Sequence, residues 1–83
     1  MKVYLLKHYD GEDSGVCGVF STPDGALEAG RAFVRAGRAF VRPGMPSMPL
    51  RDYEAVWTEA WEIDGEEVEE AIVDVFRRGK LVA

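Results

Sequence analysis

Eighty-three residues suffice for one domain (residues 1–83) with a thin core and little stability to spare. Two Trp, three Tyr and four Phe in a chain that is 47% hydrophobic and 30% charged exclude wholesale disorder. The net charge of −5 excludes general affinity for nucleic acid or an anionic membrane.

Val3 to Tyr9 is apolar and aromatic and reads as a strand. The polar run Asp10 to Gly15 is a turn, and Val16 to Ser21 a second strand, so the two form an antiparallel hairpin. Thr22-Pro23 opens a helix, with Thr as cap and Pro at the first helical position. Ala26, Leu27, Gly30, Phe33, Val34, Gly37, Phe40 and Val41 then recur at spacings of three and four. Two ends are open to this helix. Gly37 can cap it and leave Arg38 to Arg42 extended, or it runs to about Val41 and Pro43 stops it. The tandem heptad AGRAFVR–AGRAFVR (Ala29 to Arg42) favours the longer form, because one helical unit copied twice keeps its register.

Pro43 to Pro49 carries three prolines and a glycine and is a loop. Asp52 to Ile63 alternates as a strand, with Tyr53, Ala55, Trp57, Trp61 and Ile63 on one side. Glu59 interrupts that row and reads as a bulge or an edge position. Trp57 and Trp61 are expected as core or interface anchors. The last segment carries an Asp64-Gly65 hairpin signal and three β-formers, Ile72, Val73 and Val75. A helix over about 65–78 accounts for more of it. Asp64 and Glu67 make a capping box, Ile63 and Val68 a staple, and Arg77-Arg78 suit the negative end of the dipole. The expected fold is α+β in the order β-β-α-β-α. Its three-stranded antiparallel sheet has strand order 2-1-3 and helices on one face.

The first third, KVYLLKHYD, a short acidic loop and GVFSTPDGAL, resembles a set of small uncharacterised bacterial and phage proteins. Their pattern is a KVY-type first strand, a polar loop and GVFST leading into an Ala-rich helix. WTEAW (Trp57 to Trp61) is similar to a later Trp-Thr-Glu-Gly stretch in some of them. The likeness covers residues 2–34 and, loosely, 53–63, and leaves out the repeated AGRAFVR. It implies the strand–hairpin–helix arrangement and no established activity.

Charge is sorted along the chain. Residues 29–51 hold five arginines and no acid, and residues 52–76 hold ten acids and no base. On one helix Arg31, Arg35, Arg38 and Arg42 would form a stripe, and with Glu66, Glu67, Glu69 and Glu70 they are the candidate partner-binding residues. Such segregation suits self-association, basic helix against acidic segment, so a homodimer is expected, with another protein as the further option. Nucleic acid and membrane are not expected partners. No metal, cofactor or catalytic residue is assigned. One His and one Cys do not make a zinc site of the usual kind, and Cys17 among Val16, Val19 and Phe20 reads as an inert core thiol.

The expected function is therefore a small non-catalytic interaction module. The rivals are an acidic phage-type inhibitor imitating nucleic acid and, less in keeping with the residues, a small hydrolase or transferase. No apolar run reaches a membrane span, MKVYLLKHYDG lacks a signal-peptide pattern and Cys17 is the lone cysteine, so a cytoplasmic setting is expected.

Overall fold

A computed structural model describes all 83 residues. The elements in chain order are β1 (Lys2–Tyr9), β2 (Ser14–Phe20), α1 (Pro23–Ala36), α2 (Arg38–Val41), β3 (Ala55–Glu62), β4 (Glu67–Arg77) and β5 (Lys80–Leu81). The strands form one antiparallel five-stranded sheet in the order β2-β1-β3-β4-β5. The sheet is curled into a half-barrel, and α1 is its one substantial helix. The expected three-stranded sheet covered by two helices is thereby corrected.

The correction comes from the last segment, which is a strand and not a helix over 65–78. Asp64 adopts a positive φ of 63°, and the amide of Gly65 donates to the Glu62 carbonyl at 3.0 Å, so a tight hairpin turns β3 into β4. Two irregularities in β4 explain the helix-like spacing. Val56 pairs with Phe76 and Trp57 with Asp74, which leaves Val75 as an extra residue. Thr58 pairs with Val73 and Ala60 with Val68, so four residues, Glu69 to Ile72, face the single Glu59. These bulges shift the two-residue alternation. Val75 and Phe76, adjacent in sequence, are both buried in the core. A helix here would leave the β3 edge without hydrogen-bond partners.

The hydroxyl of Thr22 accepts the Gly25 amide at 3.0 Å and caps α1, as its sequence suggests. The helix presses Ala26, Gly30 and Phe33 onto the sheet. Gly30 allows the closest approach, since a β-carbon there would lie 3.1 Å from Val75 and 3.2 Å from Leu6. α1 stops at Ala36. Gly37 takes φ 54°, donates its amide to the Phe33 carbonyl at 2.7 Å and bridges to Met48. The second heptad copy therefore does not prolong the helix to Val41, and it is not extended either. It makes the single turn α2, whose Phe40 ring sits 4.8 Å from Phe33.

The core lies between α1 and one sheet face and consists of Leu6, Phe33, Val56, Val75 and Phe76. Trp57 and Trp61 are not in it. Val56, Thr58 and Ala60 of β3 are buried on the face toward α1, while Trp57, Trp61 and the buried Glu59 pair across to Lys7, Val3 and Leu5 on the opposite face. No helix is long and apolar enough to cross a membrane.

Candidate functional site

Two charged regions occupy opposite ends of the sheet. β1 runs from Lys2 to Tyr9 and β3 returns from Ala55 to Glu62, so strands of eight residues separate the ends by about 25 Å. The molecule itself measures 37 × 25 × 22 Å.

At one end α1 terminates, and α2 with the following proline-rich loop closes over the end of β1. A pocket of ≈ 380 Å³ forms there, with Arg38, Arg42 and Arg51 in its wall. Nε2 of His8 lies 2.8 Å from Oε1 of Glu54, and the other Glu54 oxygen accepts the Arg51 amide at 2.6 Å. The imidazole rests 4.8 Å from the Phe33 ring, which fixes it against the core. The Arg51 guanidinium donates to the Tyr53 hydroxyl at 2.8 Å. Asp10 also lines the pocket. Its Oδ1 accepts the amides of Asp13 and Glu12, each at 2.9 Å, and these bonds hold its carboxyl below the ordinary range.

At the other end the β3–β4 hairpin carries Glu62, Asp64, Glu66, Glu67, Glu69 and Glu70. The N-terminal amine pairs with Glu62 at 3.3 Å. Glu66, Glu69 and Glu70 are exposed and have no cation within ion-pair distance.

The four arginines of the expected stripe are thus divided. Arg31 is tied to Glu28 and to the carbonyl oxygen of Ala83 (3.2 Å). Arg35 is exposed on the last turn of α1, and Arg38 and Arg42 line the pocket beyond the break at Gly37. Of the four expected glutamates, Glu67 alone turns to an internal partner.

That partner is Glu59, which lies on the Trp face of β3 and opposite the irregularity in β4, where the sequence suggests a bulge. It is 5% exposed, and its carboxylate accepts the indole N–H groups of Trp57 (2.6 Å) and Trp61 (2.9 Å). Lys7 from β1 stands 3.4 Å away. Burial is the largest single influence on Glu59 and opposes its charge. The hydrogen bonds from Trp57, Trp61 and Glu67, with Lys7, together outweigh it and hold the carboxyl below its ordinary value. Glu67 goes the other way. Its hydrogen bond to Glu59, then its own desolvation and the Glu59 charge, raise its carboxyl above the ordinary glutamate range. A Trp-x-Glu-x-Trp spacing on one strand was the signal for this clamp. His8 with Glu54 gave none, because 46 residues separate them.

The clamp predicts a pH dependence. Glu59 has a lowered folded-state pKa, so its contribution is present above the ordinary glutamate value and lost as pH falls through the lowered one. The raised pKa of Glu67 makes its contribution complete below the ordinary value and lost as pH rises through the raised one. Glu67→Gln keeps a donor and removes the titration. Chemical denaturation at a series of pH values should show the parent losing stability from about pH 4.5 upward more steeply than this variant. Parallel profiles would contradict the raised Glu67 carboxyl. Glu59→Gln, which sets an amide against two indole donors, should cost about 1–3 kcal/mol at neutral pH by the same measurement.

Cys17 is free and half-buried against the core, and burial pushes its thiol up. No group of three or more His, Cys, Asp or Glu side chains is placed to hold a metal ion. No family model, no curated protein and no solved structure matches the chain.

Proposed function

We propose that the protein is a small interaction module that pairs with a second copy of itself, the basic end of one beside the acidic hairpin of the other. One observation carries the reading. Arg35, Arg38 and Arg42 have no carboxylate partner within the chain, Glu66, Glu69 and Glu70 have no cation, and the length of the sheet keeps the two sets apart. Neither set can neutralise the other in one molecule. Two molecules lying antiparallel about a two-fold axis satisfy both at once, and that arrangement closes on itself.

The reading assigns no reaction. His8 has a carboxylate beside it, but the nearest thiol, Cys17, is held protonated by burial and makes no hydrogen bond to it. An acidic surface imitating nucleic acid is the rival, favoured by the exposed glutamates of the hairpin. It needs Glu66, Glu67, Glu69 and Glu70 but none of the arginines.

Sedimentation equilibrium separates the two. At low salt and micromolar concentration a dimer is expected. It should dissociate at about 1 M salt, where charges are screened beyond about 3 Å. A monomer under all conditions, or a dimer indifferent to salt, would overturn the proposal.

A further inference from the structure

We infer that the pocket at the end of α1 binds a small organic anion, with its carboxylate or phosphate held by Arg38 and Arg42 and its apolar part against Val41, Met48 and Leu50. This goes beyond self-association and does not depend on it. The pocket's volume of ≈ 380 Å³ falls within the range of small-molecule sites, about 300 to 1,000 Å³.

Its hydrogen-bonding capacity is what selects an anion. Both acids in the wall are already engaged: Glu54 by His8 and the Arg51 amide, Asp10 by two amides of its own loop. The carbonyls of Arg35 and Ala36, whose negative ends would repel an anion, accept the Ser47 hydroxyl at 3.3 and 3.2 Å. Arg38 and Arg42 make neither an ion pair nor a side-chain hydrogen bond within the chain. The unused groups are therefore guanidinium donors, whose planar forks match a carboxylate or a phosphate.

The frame around them is set by backbone. Gly37 bridges to Met48, which joins the start of α2 to the opposite wall of the pocket. Arg51 adds a third positive charge and is already oriented by Tyr53.

The test is an NMR titration of the folded chain with phenyl phosphate, benzoate and neutral benzyl alcohol in low salt. Saturable shifts of the Gly37 and Arg38 amides and the His8 ring are expected with at least one anion and not with the alcohol. The anion that binds tells phosphate from carboxylate as the group recognised. Arg38→Gln with Arg42→Gln, both exposed positions, should weaken binding by at least about tenfold while the dispersed amide spectrum of the folded chain is kept.

Repeating the titration on Glu66→Gln, Glu69→Gln, Glu70→Gln separates the two readings. That variant removes the acidic hairpin as a competitor, so anion binding there persists whether or not the parent self-associates. Absence of saturable shifts, equal shifts with benzyl alcohol, or undiminished binding in the arginine variant would each overturn the inference.

Discussion

Gly37→Ala is expected to be among the most damaging single substitutions, costing about 3 kcal/mol or more. A β-carbon at this position would lie 1.7 Å from the Met48 carbonyl oxygen, and the residue adopts φ 54°. A backbone at φ 54° and ψ −124° alone costs an alanine about 1–3 kcal/mol. The clash is with backbone, so no side-chain rotation relieves it, and the Gly37–Met48 bridge must open. An 83-residue domain holds only about 4 to 12 kcal/mol in total. Urea denaturation followed by tryptophan fluorescence measures the loss. A cost under about 1 kcal/mol would mean that the helix break is not fixed by this bridge. Gly44→Ala serves as the control for φ without the clash, because its φ of 92° is also positive and nothing lies within 4 Å of its added carbon.

Phe33→Ala is the other large effect, about 3 to 5 kcal/mol. Phe33 is among the largest fully buried side chains, and only 11 of 83 residues are buried, so the core has little else to lose. Its ring also supports His8 and Phe40, each 4.8 Å away. The melting temperature should fall by more than about 12 °C, since 1 kcal/mol shifts a domain of this size by about 4–8 °C. Phe33→Leu, which keeps most of the volume, should cost well under half as much. Similar losses in the two variants would place the importance of Phe33 in its aromatic contacts and not in the volume it fills.

Local chemistry made the first part of the fold legible. β1, the turn at Asp10 to Asp13, β2 and the Thr22-Pro23 helix start all follow from side chains acting within a few residues of themselves. β4 was hidden because its bulges place Val68, Val75 and Phe76 at intervals that mimic a helix. The same segment carries acids first and arginines last, which suits a helix dipole but places no constraint on a strand. The face of β3 was misread for a different reason. Its Trp row is the more hydrophobic one, yet the small residues Val56, Thr58 and Ala60 face α1, whose Gly30 calls for close packing.

The site was legible as charge and not as geometry. The arginines after Gly37 and the glutamates of the β3–β4 hairpin do come to opposite ends of one sheet, while Glu54 of the acidic block stays in the wall of the basic pocket and Glu59 lies mid-strand. What the spacing of seven could not reveal is that Gly37 divides the arginines, leaving Arg31 tied to Glu28 and Ala83 while Arg38 and Arg42 enter a pocket. The pairing of His8 with Glu54 depends on β1 meeting the entry to β3, a contact that only the sheet order supplies.

Self-association by complementary ends is tested most directly with two charge-reversed variants, alone and mixed. One carries Arg38→Glu and Arg42→Glu, the other Glu66→Lys, Glu69→Lys and Glu70→Lys, all at exposed positions. Analytical ultracentrifugation at low salt should find each variant monomeric, because like charges then face each other at both contacts. An equimolar mixture should restore the dimer, since each reversed end meets its opposite on the other chain. Two monomers that stay monomeric when mixed, or variants that dimerise alone as the parent does, would contradict the account.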